Sequence, residues 1–321
     1  MIIVVDVGGT NLRVGAVTPE GQIFDFEKRS SDSKAPVEKI LQNIESAINA
    51  VVQRLTQCEQ KVEGLVLGFP GIVDPKKGIV YQSPHFPNWK DLKFVDYFQK
   101  KFPWPVRADN DANLAALGEA YFGAGKYLNH FVMITLGTGV GGGLILNRKI
   151  HHGDRGFAGE IGHFCIEGNS DRRCGCGSRG CWEMYVSTQS FHYNLDFPLE
   201  SDVRVRDQFL RKIGKDPSAF ASRTIPIKTF YEAAKDGDMF AHSCFKKMGY
   251  YLGIGIASLA NILGTENFII GGGLSEAWDL FIEGTKKEIA QRTYKETSSN
   301  IKIHKALLGD DAGMVGGVKL F

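Results

Sequence analysis

Two glycine-containing segments with the same order of features begin the two halves of this 321-residue chain. Residues 4–17, VVDVGGTNLRVGAV, place apolar runs on both sides of a Gly-Gly pair. Residues 131–146, FVMITLGTGVGGGLIL, repeat this order around a longer glycine-rich turn. Each pattern predicts two strands joined by a tight turn. Because the pattern recurs near the start of each half, we expect two related α/β domains that face each other.

A third glycine-rich segment, residues 267–277, reads NFIIGGGLSEA and predicts a strand that runs into glycines and then a helix. None of the three segments has the P-loop pattern of a nucleotide-binding ATPase. Gly137, Gly139 and Gly142 have the spacing of a dinucleotide fingerprint, but a strand rather than a helix follows them. Glycine turns after strands expose backbone N–H groups, which suits phosphate binding. A plain tight hairpin is the alternative for any one of them.

Apolar residues at helical spacing predict the main helices. Helices are expected over residues 36–56, 113–122 and 240–263, with Asn113 as the capping residue of the second one. A further helix is expected near the C-terminus, where the last segment packs back on the body of the protein. We therefore expect a small first domain of residues 1–112 that includes residues 305–321, and a large second domain of residues 113–304.

Three cysteines lie close together in RRCGCGSRGCWE, residues 172–183. Metal binding explains the cluster better than a disulfide, because structural disulfides are rare in the cytosol, where we place this chain. Three thiolates leave a tetrahedral zinc one ligand short. His163 is the expected fourth ligand; Cys165 competes, but its apolar neighbours favour a packed side chain. Zinc held by Cys174, Cys176, Cys181 and His163 would be structural, and reduced thiols without a metal are the alternative.

The composition excludes several classes of protein. The net charge is +2, so it offers no electrostatic basis for binding nucleic acid or a membrane surface. The N-terminal residues MIIVVDVGGT lack the positive region of a signal peptide and are typical of a buried strand. No apolar run is long enough to span a bilayer. A cytoplasmic globular protein is expected.

The order of the motifs resembles the ROK family of sugar kinases, within the hexokinase and actin superfamily. The resemblance covers nearly the whole chain and rests on seven motifs in the family's order: DVGGTN (6–11), PGIVD (70–74), NDAN (110–113), LGTGVGGG (136–143), GEIGH (159–163), CGC with GCWE (174–176 and 180–183), and GGG (271–273). It implies an α/β chain with a two-domain, actin/hexokinase-like (ribonuclease H-like) fold, a cleft between the domains and a structural zinc loop. The implied activity is ATP-dependent phosphorylation of a hexose.

The resemblance implies a role for individual residues of the sugar site. Asp111 would be the general base, although Asp109 is a rival and either carboxylate could simply cap a helix. The family pattern places the base directly after an asparagine, which favours Asp111. The residues implied to bind the sugar are Gly71, Asn110, Asp111, Glu160, His163 and Glu183. His163 could bind zinc with one ring nitrogen and a sugar hydroxyl with the other.

The resemblance also implies the nucleotide site. Thr10 and Asn11 would contact the transferred phosphate, and Asp6 would hold Mg²⁺. The full set implied to bind ATP is Asp6, Gly9, Thr10, Asn11, Gly137, Thr138, Gly139, Gly272 and Gly273. Arg13 is left open between a phosphate contact and a surface position.

Within the family, the segment SPHFPNWKDLKF, residues 83–94, is more similar to glucokinases than to kinases of fructose or N-acetylhexosamines. D-glucose is therefore the expected substrate, with another hexose as the alternative. Some ROK proteins are sugar-sensing repressors with a DNA-binding domain before the first hairpin. Because the hairpin here starts at residue 2, we expect no such domain, and a sugar-sensing regulator without one is the second alternative. The residues from 190 to 225 depart from the family pattern, and a homodimer is expected.

Overall fold

The computed structural model describes residues 1–83, 86–196, 202–216 and 225–321. The strands are β1 (Ile2–Val7), β2 (Asn11–Val17), β3 (Ile23–Ser30), β4 (Gly64–Phe69), β5 (Ile72–Asp74), β6 (Ile79–Ser83), β7 (Phe86–Leu92), β8 (Val106–Asn110), β9 (Phe131–Leu136), β10 (Val140–Leu146), β11 (Lys149–Ile150), β12 (Asn267–Gly271) and β13 (Lys302–Lys305). The α-helices are α1 (Val37–Gln57), α2 (Phe94–Gln99), α3 (Asp111–Phe122), α4 (Glu183–Val186), α5 (Thr188–Asp196), α6 (Val203–Lys212), α7 (Ile227–Lys235), α8 (Met239–Leu263), α9 (Trp278–Arg292), α10 (Lys295–Ser298) and α11 (Ala312–Gly317).

The first sheet has the strand order β3-β2-β1-β4-β8. The predicted hairpin of residues 4–17 is confirmed, since β1 and β2 pair antiparallel with Val7 opposite Leu12. Strand β4 pairs parallel with both β1 and β8. The nearly continuous apolar sequences of β1 and β4 fit this central position, because both faces of a central strand are covered. Helix α1, predicted at 36–56, is part of the same core and buries Ile40, Ile44, Ile48, Val51 and Leu55.

The second sheet has the order β11-β10-β9-β12-β13. Strands β9 and β10 are neighbours in it, which confirms the second predicted hairpin. After β12 the chain forms a short 3₁₀ helix, Gly273–Ala277, before α9 begins. The long helix predicted at 240–263 is α8, which starts after the capping residue Asp238 and ends at Gly264 in the left-handed conformation, with φ of 64°.

A third sheet, β5-β6-β7, carries most of residues 83–94, the segment whose similarity to glucokinases favoured glucose as the substrate. Trp89 of β7 is buried, with 2% exposure, and stacks on Phe86 at a ring distance of 3.8 Å. Its ring also contacts Phe69 and Phe94. Trp89 is therefore a core residue of this sheet. Residues 84 and 85 of the same segment lie outside the described residues.

The chain is divided into two compact units. The first unit comprises residues 1–134, 142–160 and 304–321, and the second comprises residues 135–141 and 161–303. The predicted C-terminal helix is α11, and it packs on α3 in the first unit. Two glycines allow this close approach: a Cβ on Gly118 would lie 2.1 Å from the Ala312 oxygen, and one on Gly316 would lie 1.8 Å from the Leu114 oxygen. The division at residue 112 stays a prediction.

The segment from 190 to 225 is the one that departs from the family pattern. Helices α5 and α6 cover much of it, and residues 197–201 and 217–224 lie outside the described residues. In the described part of the chain, no helix is long and apolar enough to cross a bilayer.

Candidate functional site

The first glycine turn connects β1 to β2 in the first unit. The N–H of Gly8 donates to the Asn11 oxygen at 2.8 Å, and Thr10 and Asn11 are exposed at its end. Gly9 is half-buried beside them. The turn therefore presents Thr10 and Asn11 to solvent, where a phosphate group could reach them.

Asp6 and Arg13 lie opposite each other on the two strands that this turn joins. Burial raises the pKa of Asp6, the charge of Arg13 opposes that change, and Asp310 adds to it. The Arg13 guanidinium donates to the Asp310 oxygen and to the Asp311 carboxylate, and it lies 3.9 Å from Asp6. Arg13, which the sequence left open, thus ties the hairpin to the residues before α11.

Asp111 is the first residue of α3, directly after β8. The residue that caps this helix is Asn110, whose side-chain oxygen accepts the N–H groups of Ala112 and Asn113 at 2.8 and 3.1 Å. The prediction that Asn113 caps the helix is therefore wrong. The Asn110 amide also donates to the Gly71 oxygen at 2.9 Å, which brings two of the predicted sugar-site residues together.

Asp109 and Asp111 have very different surroundings. Asp109 is fully buried, and its Oδ1 accepts the Asn110 N–H at 2.7 Å and the Asn113 amide at 2.8 Å. Its Oδ2 lies 2.6 Å from His152 Nε2. Each carboxylate oxygen thus already has a partner, which is the pattern of a structural group. Asp111 is only partly buried and accepts the Ala112 N–H at 2.8 Å.

The environment of Asp111 raises the pKa of its carboxyl from 3.8 to about 7. Burial is the largest cause, and the negative charges of Asp6 and Glu160 add to it, while the Ala112 N–H opposes it. All three carboxylates belong to the first unit. A general base works best when its pKa lies near the working pH, so this carboxylate suits proton transfer at neutral pH.

Glu160 follows Gly159, a position that only a residue without a side chain can occupy. Gly159 has φ of 96°, and a Cβ there would lie 2.7 Å from the Gly142 oxygen. The same atom would be 3.6 Å from Oδ1 of Asn113, so the chain crosses close to the start of α3 just before Glu160. This approach places Glu160 close enough for its charge to act on Asp111.

The second unit contains the predicted metal ligands in one cluster. One ligand atom from each of His163, Cys174, Cys176 and Cys181 lies within 4.8 Å of the others. The Cys174 sulfur is 3.5 Å from His163 Nδ1, and the sulfurs of Cys176 and Cys181 are 3.6 Å apart. A tetrahedral zinc with ordinary bond lengths requires about 3.8 Å between two sulfurs and about 3.6 Å between sulfur and nitrogen. The cluster therefore fits a zinc ion.

Two other observations bear on this cluster. Cys165 is exposed and outside it, so the expectation that Cys165 is packed as a small hydrophobic residue is wrong. Its backbone instead forms a bridge with Cys181. Burial raises the pKa of the Cys181 thiol to about 11 and that of Cys174 further, so an ion must displace protons in order to bind.

The second glycine turn, residues 137–139, lies in the same unit as the cluster. Thr138 is exposed at its tip, and the Gly137 N–H donates to the Gly139 oxygen at 3.0 Å. Glu183, predicted to bind the sugar, contacts this turn: its Oε2 accepts the Val140 N–H at 3.0 Å. The sequence carried no signal for that contact.

A cavity of about 300 Å³ opens beside the turn, a size in the range of small-ligand sites. Gly272 shapes the backbone next to it, with φ of 82° and a Cβ position 2.4 Å from the Leu136 oxygen. Of the predicted residues, Gly137 and Gly273 line the cavity. Sequence analysis missed the remaining lining residues, which are Thr188, Ile227, Lys228, Tyr231, Leu274, Glu276 and Ala277.

The comparisons with known proteins show the family of the chain. The sequence pattern described as the ROK family matches residues 2–321. The glucokinase of Halalkalibacterium halodurans is 33% identical over 98% of this chain and 92% of that protein. The xylose repressor of Caldicellulosiruptor bescii is 30% identical over 99% of this chain and 77% of that protein. A ROK family glucokinase from Streptomyces griseus, solved with glucose and AMPPNP, has a TM-score of 0.80 at 31% identity and covers 99% of this chain and 98% of its own.

The relatives named glucokinase and the matching ROK glucokinase structure place the chain in the class of hexose kinases. The chain belongs to the ROK family.

Proposed function

We propose that this protein is an ATP-dependent glucokinase that converts D-glucose to glucose 6-phosphate. The observation that carries the proposal is Asp111, a partly buried carboxylate at a helix start with its pKa raised to about 7. Relatives named glucokinase match nearly the full chain, which supports glucose over other hexoses.

In the proposed reaction, the oxygen of the sugar 6-hydroxyl attacks the γ-phosphorus of ATP. A new P–O bond forms, the bond between the γ-phosphorus and the bridging oxygen breaks, and ADP leaves. The hydroxyl proton passes to the Asp111 carboxylate as the new bond forms. The full occupation of both Asp109 oxygens supports Asp111 over Asp109 as the base.

The sugar hydroxyls are proposed to be bound by Gly71, Asn110, Asp111, Glu160, His163 and Glu183. Asn110 uses its oxygen as the helix cap and one N–H on Gly71, and its second amide N–H can donate to a hydroxyl. Carboxylates suit sugars because each can accept hydrogen bonds from two adjacent hydroxyls. Since His163 Nδ1 faces Cys174, its Nε2 is the nitrogen suited to a sugar hydroxyl.

For the nucleotide, the first turn supplies Gly9, Thr10 and Asn11, and the second supplies Gly137, Thr138 and Gly139. Gly272 and Gly273 border the cavity region, which suits the base and ribose because it is largely apolar. Asp6 is the proposed partner of Mg²⁺, which would neutralise charge on the phosphates when bound. Zinc is proposed for the cysteine cluster, where it would hold the loop that carries His163.

Release of ADP on addition of a hexose and MgATP tests the kinase proposal directly. The five sugars to compare are glucose, fructose, mannose, N-acetylglucosamine and N-acetylmannosamine, with glucose expected to give the highest kcat/KM. If the kcat/KM for another sugar exceeds that for glucose tenfold, the assignment of glucose is wrong, while the assignment as a sugar kinase still holds. If no sugar supports ADP release, a sugar-sensing role like that of the repressor relatives takes its place. We also propose a homodimer, which sedimentation equilibrium would test.

A further inference from the structure

The residues that follow Cys181 hold both ends of the second glycine turn. Glu183 Oε2 accepts the Val140 N–H at 3.0 Å, at the end of the turn. The Thr188 N–H donates to the Gly137 oxygen at 2.9 Å, at its start. The turn is packed directly on the carboxylate, because a Cβ on Gly139 would lie 2.5 Å from Glu183 Oε2.

Val140 is also contacted by the chain segment that carries His163, another of the predicted metal ligands. A Cβ on Gly162 would lie 2.5 Å from the Val140 oxygen and 3.1 Å from its Cβ. Gly162 directly precedes the ligand His163, and Glu183 follows the ligand Cys181 by two residues. Two segments that each carry a metal ligand therefore converge on Val140, the residue directly after the turn.

The link between Cys181 and Glu183 is rigid. The Met184 N–H donates to the Cys181 oxygen at 3.0 Å, so the helical turn that carries Glu183 starts on the ligand itself. Trp182 between them is fully buried, and its Nε1 donates to the Tyr251 oxygen at 2.8 Å. A shift of Cys181 would thus be passed to Glu183 rather than absorbed by a flexible connection.

We propose that the metal cluster positions the nucleotide turn, through Glu183 on Val140 and Thr188 on Gly137, so that nucleotide affinity depends on the bound metal even without a sugar. This is a second role for the cluster, separate from the alignment of sugar-binding residues. It rests on the proposed function in one respect, namely that residues 137–139 bind the nucleotide phosphates.

The test is a calorimetric titration of the full chain with the non-hydrolysable ATP analogue AMPPNP and Mg²⁺, without any hexose. We expect Glu183→Ala to keep one metal per chain and to weaken binding of the analogue about tenfold, since it removes a charged acceptor from a backbone N–H. Glu183→Gln keeps an acceptor oxygen and should stay within about threefold of wild type. Glu167→Ala, at an exposed glutamate of the same loop, is the matched control. A role of Glu183 in sugar binding alone would leave all four titrations equal.

A second pair of variants tests the other end of the turn. Thr188→Pro removes the N–H that binds Gly137, and the site tolerates proline because it is the first residue of α5 and follows an extended residue, Ser187 with ψ of 177°. Thr188→Val keeps that N–H and the shape of the side chain. We expect the proline variant to bind the analogue about fivefold more weakly than the valine variant.

Removal of the metal with a chelator completes the design. Wild type should lose affinity for the analogue when the metal is removed. Glu183→Ala should lose less affinity, because it already lacks the contact between Glu183 and the Val140 N–H. Equal affinity in metal-loaded and metal-free wild type, with Glu183→Ala and Thr188→Pro matching their controls, would overturn this inference and leave the proposed function intact. Absence of analogue binding in every form, metal-loaded wild type included, would instead overturn the assignment of the nucleotide site. If Glu183→Ala loses its metal, the comparison of Thr188→Pro with Thr188→Val decides the inference: equal affinity of these two variants for the analogue would overturn it.

Discussion

Replacement of Asp111 by asparagine is expected to stabilise the protein at alkaline pH while it abolishes turnover. The fold raises the pKa of this carboxyl from 3.8 to about 7, chiefly by burial and by the charges of Asp6 and Glu160. Folding therefore disfavours the ionised form. The resulting decrease in the free energy of unfolding is absent below the pKa of the unfolded state. It grows as the pH rises from about 4 to 7 and is complete above the pKa of the folded state. Asparagine keeps an oxygen for the Ala112 N–H and carries no charge.

The size of the effect follows from the two pKa values. A difference of about 3 in pKa corresponds to about 4 kcal/mol above pH 7. At pH 5 the carboxyl of Asp111 is ionised in the unfolded state but still protonated in the folded state, so the destabilisation has reached only about 1.5 kcal/mol. The stability of Asp111→Asn relative to wild type should thus rise by about 2.5 kcal/mol from pH 5 to pH 8. For a chain of this size, that difference moves the melting temperature by about 4 °C.

Thermal melts of both proteins at pH 5, 6, 7 and 8 measure this difference, with Asp279→Asn as the control because Asp279 is an exposed residue in the first turn of α9. In parallel, kcat should fall at least about 10²-fold while the sugar still binds. A stability difference that does not change with pH would refute the raised pKa. A kcat near that of wild type in Asp111→Asn, together with an inactive Asp109→Asn, would refute the choice of base.

Three further predictions follow from the same contacts. The kcat/KM of wild type should fall about tenfold for each pH unit below about 7, because protonated Asp111 cannot accept the sugar proton; a flat profile down to pH 5 would contradict this. Cys176→Ser should lower the metal content from one ion per chain, measured by elemental analysis, and reduce the melting temperature, although Cys176 is exposed and contributes little to core packing. Tyr231→Ala should raise the KM for ATP at least about fivefold without changing the KM for glucose, because Tyr231 lines the cavity beside the second turn.

Several elements could be predicted from the sequence because their signals are local. The alternation of apolar runs and glycines predicted both hairpins, and helical spacing placed α1 and α8 within a residue of their observed starts. The chemistry of thiols and imidazole predicted which four side chains would cluster, and the structure brings them together. In each case a short stretch, or a choice among very few residues of one type, contained the necessary information.

Other features were decided only by the tertiary structure. Asp109 and Asp111 are equivalent in sequence, and they differ because His152 and Asn113 occupy the oxygens of Asp109 while Asp6 and Glu160 raise the pKa of Asp111. Trp89 became a core residue because Phe69 of β4, in another sheet, and Phe94 of α2 pack against its ring.

The nucleotide cavity and the contact of Glu183 with Val140 have the same origin. The cavity combines residues of α7 with the glycines after β12, and Glu183 reaches a strand that begins 43 residues earlier. Hydrophobic periodicity reports which face of an element is buried, but it does not report which distant element covers that face. Burial, hydrogen-bond partners and neighbouring charges all depend on which distant element covers a given face. The local sequence pattern therefore places the reactive groups along the chain, and the packing of distant segments decides what each of them can do.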